Sequence, residues 1–431
     1  MASLLIRIIM CIFAVEKVKQ MIEKIYTPEL ITLSNGLRLL YLNRAYDPVE
    51  YFGVVVDAGS RDDMYNSHGL AHFVEHTLFK GTTKRKSWHI INRMESCGGE
   101  LNAFTTKEST TIYTVFPTGN LSRAVDLVAD LVINSQFPEK ELEKEREVVA
   151  DEISSYRDIP AEAVYDDFED LLFAGSDLGH NILGNEKALR TFDSLSCREF
   201  ISKLYTCPNM VAFYSGPMLL SRVVKLIERS FEGLSKCEPK KNRMKPMVLP
   251  TFNEYKHLSN HQAHSIVGAR VCDMYSSQRL ALSLMVNLLG GPGMNSLLNV
   301  ELREKRGLVY SVDASATLMT DCGVFAIYFG CDPDDTELCR RIINRTIDNL
   351  AAEKLSERRF AAIVRQHVGQ MIVGAENKEN TILSMARTAL YRDRVESLRD
   401  IVAKLSALRP EELCDAAQMI APENLSMLTF C

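Results

Sequence analysis

The interpretation of the whole chain starts from residues 69–82, which read GLAHFVEHTLFKGT. This composition predicts a short helix. His72 and His76 are four residues apart, so on a helix they lie on one face, one turn apart. Two neutral imidazoles placed in this way can bind one Zn²⁺, and Glu75 can reach a water there without being a ligand. Histidines at this spacing are also common on surfaces and in cores, so a metal site needs further ligands.

The neighbours of these polar residues are apolar. They are Leu70, Ala71, Phe73, Val74, Leu78 and Phe79. We therefore expect a largely buried helix, in which polar groups need hydrogen-bond partners or a metal. His68 continues the spacing of four, but it would lie about 12 Å from His76 on a straight helix. It is not predicted as the third ligand.

A second helix, predicted over residues 138–156, offers a third ligand. The segment has no internal Gly or Pro and is rich in helix-forming residues. Glu145, Val149 and Glu152 fall on one face at steps of four and three. Most glutamates of this segment are expected to face solvent. Glu152 differs because it has apolar neighbours, including Ile153.

From Thr32 to Glu152 the chain resembles the pitrilysin/insulinase family of zinc peptidases, the inverzincins. The family pattern is His-x-x-Glu-His followed by a Glu about 75 residues later, and Glu152 follows His76 by 76 residues. The resemblance is greatest to the branch with mitochondrial processing peptidase and its half-length bacterial relatives, and it covers nearly the whole chain. It implies one Zn²⁺ per chain, held by His72, His76 and Glu152. It also implies Glu75 as general base and Glu145 as a carboxylate supporting a ligand histidine.

The resemblance also implies substrate-binding residues in both halves of the chain. Asn102, Ala103 and Phe104 match an edge strand that pairs with the substrate backbone, by β-strand addition. Asn102 could equally be an ordinary turn residue. Arg303 and Tyr310, seven apart, match an arginine and a tyrosine that face the zinc site across a chamber and could donate hydrogen bonds to an oxyanion. From spacing alone they are a basic helix end and a strand tyrosine.

The order of predicted elements indicates an α+β fold with an internal repeat. A hairpin around Asn35-Gly36, a strand, the histidine helix and a paired-strand region (100–117) open the first half. The second half repeats this order as a strand, two helices and paired strands (265–270, 278–289, 294–305 and 308–330). We therefore predict two related units, each a mostly antiparallel sheet packed with helices. The resemblance implies that together they form half of a peptide-enclosing chamber.

The domain boundaries follow from length and composition, since 431 residues exceed a single hydrophobic core. Residues 235–250 hold three prolines and five basic residues, and we interpret them as a linker whose charge is solvated. The metal-binding domain is expected over residues 21–234 and a related domain without metal over 251–431. The helix predicted near residues 280–289 contains no histidine. Residues 1–20 are an apolar extension, which is dispensable or a misassigned start, or alternatively a signal segment.

Composition limits the possible partners and compartment. A net charge of −6 gives no indication of nucleic-acid binding. The apolar run 4–15 is too short to cross a bilayer. Eleven cysteines without a Cys-x-x-Cys pair favour a reducing compartment, here the cytoplasm, with export as the alternative if residues 1–20 act as a signal.

The sequence is compatible with three functions. The first is a zinc endopeptidase acting on unfolded peptides, which the complete set His72, Glu75, His76 and Glu152 favours. The second is a non-catalytic partner or scaffold subunit of a peptidase-like complex. The third is a metal-dependent hydrolase of another substrate class. The resemblance further implies a homodimer or a heterodimer with a related chain.

Overall fold

The structure, a computed structural model, describes residues 27–63, 67–239, 241–258 and 261–431. Predictions for residues 1–20 lie outside these ranges. Six strands of the first half form one sheet: β1 (Glu29–Thr32), β2 (Arg38–Asn43), β3 (Val49–Val56), β4 (Glu100–Thr105), β5 (Thr110–Pro117) and β6 (Met210–Gly216). Their spatial order is β1-β2-β6-β3-β5-β4. The predicted hairpin around Asn35-Gly36 is present as β1 and β2, which pair antiparallel.

The second sheet repeats the pairing of the first. Its strands are β7 (Asn253–Lys256), β8 (Ala263–Val271), β9 (Val309–Leu318), β10 (Gly323–Cys331) and β11 (Ser426–Phe430), in the order β7-β11-β8-β10-β9. In each sheet one pair is parallel, β2 with β6 and β7 with β11, and the other pairs are antiparallel. The α+β class and the repeated, mostly antiparallel sheets are therefore confirmed.

Helices cover both sheets. Those of the first half are α1 (Leu70–Thr77), α2 (Ser87–Glu95), α3 (Leu121–Asn134), α4 (Glu139–Arg157), α5 (Pro160–Leu172), α6 (Glu186–Leu189), α7 (Ser194–Leu204) and α8 (Leu220–Ser230). Those of the second half are α9 (Arg279–Gly290), α10 (Thr336–Ala352), α11 (Glu357–Gly374), α12 (Lys378–Tyr391), α13 (Leu398–Ala407) and α14 (Pro410–Met419).

One predicted boundary was wrong, and one strand was missed. The helix predicted over 294–305 begins only at residue 297 and contains a wide π-type segment, Asn299–Glu304. The preceding run Gly290-Gly291-Pro292-Gly293 has low helix propensity, and the amide of Ser296 instead closes a turn on the carbonyl of Gly293. Strand β7 was not predicted because all four of its residues are exposed and it lies at the sheet edge, so its sequence lacks an apolar alternation.

The two halves exchange helices. Helix α5 of the first half packs on β8 and β11 of the second sheet, where Val164 and Phe168 share a buried cluster with Ile266. Helix α12 of the second half packs on β3 and β6 of the first sheet, where Ile382 lies in a buried cluster with Phe213. Each half therefore buries apolar surface of the other, which couples their stability.

The segment predicted to be a linker, residues 235–250, contains neither helix nor strand at its described positions. The prediction that its basic charge is solvated is wrong for Arg243. Arg243 donates hydrogen bonds to Asp57 at 2.8 Å and to Asp62 at 2.5 Å. These carboxylates lie at the end of β3 and in the loop after it, partly removed from solvent, where they need counter-charges.

Candidate active site

Helix α1 is fixed at its start by a buried carboxylate. Asp63 accepts hydrogen bonds from the backbone amides of Gly69 at 2.7 Å and Ala71 at 2.9 Å. Gly69 has φ of 98°, and a Cβ there would lie 2.6 Å from a backbone oxygen, so the turn into the helix requires glycine. Phe73 and Val74 anchor the apolar face in the core. The orientation of the whole helix is thereby set.

The two histidines project from the opposite face of α1 toward α4. Their ring centroids are 4.6 Å apart. Oε2 of Glu152, on α4, lies 3.3 Å from Nε2 of His76 and 3.9 Å from Nε2 of His72. The three ligand atoms all lie within 4.8 Å of one another, and within the described ranges this is the one group of His, Cys, Asp and Glu side chains found close enough to hold a metal ion.

This donor set fits Zn²⁺. Two imidazole nitrogens and one carboxylate oxygen are a common ligand set of catalytic zinc sites. A tetrahedral ion with bonds of 2.0–2.1 Å holds its ligand atoms roughly 3.3 Å apart. The separation of His76 and Glu152 matches this value, and that of His72 and Glu152, 3.9 Å, is somewhat longer. Oε2 of Glu152 is buried and has no hydrogen-bond partner among the described residues, as expected of an atom that binds a metal.

The two histidines differ in how their surroundings shift their pKa values. Burial lowers the pKa of His72 to about 3, and the adjacent His76 adds to this effect, so His72 is neutral near pH 7. Burial acts in the same direction on His76. There it is outweighed by the hydrogen bond to Glu145 and by the charges of Glu75 and Glu152, and the pKa of His76 is raised.

Glu145 orients the His76 ring through Nδ1, the nitrogen that does not face Glu152. Its Oε1 lies 3.1 Å from Nδ1 of His76, while its Oε2 lies 2.6 Å from Nζ of Lys80. Burial alone would raise the pKa of Glu145, but its hydrogen bonds with His76 and Lys80 lower it. An ionised Glu145 can only accept, so Nδ1 of His76 donates to it, and in the neutral imidazole Nε2, which faces Glu152, keeps the lone pair that a metal would bind.

Glu75 lies beside this cluster in a nearly water-free position. Burial raises its pKa, partly opposed by His76 and by a hydrogen bond from Thr105. The hydroxyl of Thr105 donates to Oε2 of Glu75 at 3.1 Å. A carboxylate with a raised pKa is a stronger base when ionised, which suits Glu75 to accept a proton from water.

Strand β4, which carries Asn102, Ala103 and Phe104, forms the edge of the first sheet. Successive side chains of a strand point to opposite faces. Ala103 therefore shares the face of Thr105 and Glu75, whereas Asn102 and Phe104 lie on the other face, where the Phe104 ring packs edge-on against Tyr113. The strand thus offers a free edge next to Glu75, but the Asn102 side chain points away from it.

Arg303 and Tyr310 are not in contact with the zinc-ligand cluster. Arg303 lies in the π-type segment, and Tyr310 lies on β9, at the edge of the second sheet opposite to β7. Both side chains are exposed, Tyr310 by 70%. Their position opposite the zinc site stays a prediction.

Sequence reasoning missed two residues of this site, Lys80 and Thr105. Lys80 is four residues after His76, so the helical spacing that selected the histidines could have selected it as well. Thr105 ends a predicted strand, and nothing in its local sequence indicates that it would meet Glu75, 30 residues earlier.

Known proteins match most of this chain. A family model described as insulinase (peptidase family M16) matches residues 38–186, and one described as the peptidase M16 inactive domain matches residues 191–367. An uncharacterized zinc protease of Streptomyces coelicolor is 30% identical over 403 residues, which are 92% of this chain and 88% of that protein. One of Bacillus subtilis is 27% identical over 396 residues, 92% of this chain and 96% of that protein.

Solved structures show the same fold. The peptidase M16 inactive domain from Pseudomonas fluorescens superposes with a TM-score of 0.87 at 17% identity, covering 94% of this chain and 97% of that one. A protease from Helicobacter pylori superposes with a TM-score of 0.86 at 21% identity, covering 94% and 100%.

These matches assign the chain to the class of zinc proteases. Within this class it belongs to peptidase family M16, the insulinase family. The family predicted from His72, Glu75, His76 and Glu152 is thus confirmed. None of the described helices combines the length and the apolar character needed to cross a membrane.

Proposed function

We propose that the protein is a zinc-dependent endopeptidase that hydrolyses peptide bonds in unfolded peptides or small proteins. The observation that carries this proposal is the convergence of His72, His76 and Glu152 next to the buried carboxylate of Glu75. A non-catalytic partner subunit would not require all four residues in this arrangement.

One zinc ion per chain would be held by His72, His76 and Glu152. When bound, zinc supplies a Lewis acid that lowers the pKa of water and polarises the scissile carbonyl. Glu145 keeps His76 in the tautomer that binds through Nε2.

Glu75 is the general base and then the general acid. Its carboxylate removes a proton from the attacking water as the water oxygen bonds to the carbonyl carbon. It then delivers that proton to the amine nitrogen as the carbon–nitrogen bond breaks. Thr105 holds Oε2 of Glu75 and leaves Oε1 for these transfers. Arg303 and Tyr310 donate to the carbonyl oxygen as it becomes anionic.

The substrate binds as an added strand along β4. The backbone edge of Asn102, Ala103 and Phe104 pairs with an extended peptide, so affinity comes from main-chain hydrogen bonds and needs no particular sequence. A folded protein has no free strand to offer there. This restricts substrates to unfolded segments.

We also propose that the chain works in the cytoplasm as a homodimer or as a heterodimer with a related chain. The cysteines at described positions are all free thiols, as expected in a reducing compartment. The exposure of Arg303 and Tyr310 supports a chamber that is completed by a further chain.

The proposal is tested by metal analysis of the purified chain together with cleavage of a quenched, unstructured peptide, with and without a chelator. The expected result is one zinc per chain and cleavage that the chelator abolishes and added zinc restores. The same peptide sequence inside a folded domain serves as the control and should stay intact. Zinc binding without cleavage by any oligomer of the chain would favour the non-catalytic alternative.

A further inference from the structure

Lys80 links the metal helix to Glu145. It ends the 3₁₀ turn Leu78–Lys80 that follows α1, one helical turn beyond His76. Its Nζ lies 2.6 Å from Oε2 of Glu145, whose other oxygen lies 3.1 Å from Nδ1 of His76. One carboxylate therefore bridges the ligand histidine and the lysine.

We propose that Lys80 is a positioning residue of the zinc centre. It holds one oxygen of Glu145, so that the other oxygen faces Nδ1 of His76 and fixes the tautomer and ring orientation in which Nε2 binds zinc. This inference rests on the proposed zinc site and adds a residue to it.

Lys80 can have this role because Glu145 is buried and each of its two carboxylate oxygens needs a hydrogen-bond partner. The Glu145 side chain is 8% exposed, and a buried carboxylate is stable only when its oxygens are paired. A charge-assisted hydrogen bond from an ammonium is roughly twice as strong as a neutral one. Without it, the carboxylate can rotate toward solvent and release the imidazole.

Two effects of Lys80 on zinc have opposite signs, and this makes the inference testable. Through Glu145, Lys80 favours zinc binding. Through space, its positive charge repels the ion. If repulsion dominated, removing the charge would tighten zinc binding, whereas loss of positioning weakens it.

The experiment measures zinc affinity by chelator competition for the wild-type chain and for Lys80→Met, Lys80→Arg and Lys144→Met. Lys144 precedes Glu145 on α4 but is exposed and pairs with Glu141, so it controls for loss of a lysine near Glu145 that does not contact the Glu145 carboxylate. We expect Lys80→Met to weaken zinc binding by roughly 3- to 10-fold, at or below the low end for partners of metal ligands. Lys80→Arg should restore most of the affinity, and Lys144→Met should not change it.

A double-mutant cycle with Glu145→Ala separates positioning from general destabilisation. If Lys80 acts through Glu145, the double variant binds zinc as Glu145→Ala alone does. Additive losses would overturn the inference, as would unchanged or tighter zinc binding by Lys80→Met. Lys80→Gln, checked for folding by circular dichroism, replaces Lys80→Met if that variant does not fold. A wild-type chain that binds no zinc would refute both the zinc site and the role of Lys80, whereas zinc binding that is insensitive to Lys80 would refute only the latter.

Discussion

Nε2 of His76 and Oε2 of Glu152 lie 3.3 Å apart, although the two residues stand on different helices and 76 positions apart in the chain. The fold brings them together by packing α4 against α1. Oε2 of Glu152 has no hydrogen-bond partner among the described residues, and Nε2 of His76 is the ring nitrogen that does not face Glu145. A zinc ion is the partner that suits both.

Glu152→Gln should remove the anionic ligand while keeping its size. We expect zinc affinity to fall on the order of 100-fold or more, because losing even a residue that only hydrogen-bonds to a metal ligand lowers metal affinity by about 10- to 100-fold. Glu147→Gln is a matched control, because Glu147 is exposed on the same helix. Equal zinc affinities of the two variants, measured by chelator competition, would remove Glu152 from the ligand set.

Thr105→Val should impair turnover without impairing zinc binding. The substitution deletes the hydroxyl that donates to Glu75 but keeps the side-chain shape. A hydrogen bond to a charged group contributes about 1.5–3 kcal/mol, so kcat should fall about tenfold or more while KM changes little. Thr105→Ser should recover most of the rate. A change confined to KM would instead assign Thr105 to substrate binding.

Zinc affinity should decrease as the pH falls below the raised pKa of His76. Protons and zinc compete for the same imidazole, and His72, with a pKa of about 3, does not take up a proton in this range. One proton is then displaced per zinc, and affinity should fall about tenfold per pH unit below that pKa and level off above it. Competition titrations between pH 5 and 8 measure this slope. A twofold steeper slope would mean that both histidines are protonated in the metal-free chain.

Phe168→Ala should destabilise both halves together. Phe168 lies on α5 but is buried against the second sheet. Truncation should lower the free energy of unfolding by about 3–5 kcal/mol, as for other large buried side chains. Leu171→Ala, at a more exposed position of the same helix, should cost about 0.5 kcal/mol. We expect one calorimetric transition for the whole chain. Two separate transitions would contradict the coupling by exchanged helices.

The parts of the site that could be predicted from sequence are those with a local signature. The spacing of His72 and His76 and the apolar residues around them indicate one buried helix, and the resemblance identified Glu152. The repeated strand order likewise follows from periodicity and turn residues. The domain boundaries at residues 235–250 stay predictions.

The remaining features depend on packing between distant segments. Nothing near Thr105 indicates that its hydroxyl meets Glu75. The exchange of α5 and α12 could not be predicted from sequence. An apolar helix face shows that the helix packs on something, but not which of the two sheets it covers. The helix predicted over 294–305 begins later, at residue 297, because a turn closed by the amide of Ser296 on the carbonyl of Gly293 precedes it. Hydrophobic periodicity gives no indication of such a turn.

The central claim is tested most directly by Glu75→Gln, assayed for zinc content and for cleavage of the quenched peptide beside the wild-type chain. The account predicts one zinc per chain in both proteins and a cleavage rate about 10²- to 10⁴-fold lower in the variant, the usual contribution of a general acid–base residue. A zinc-loaded Glu75→Gln chain that cleaves as fast as the wild type would contradict it.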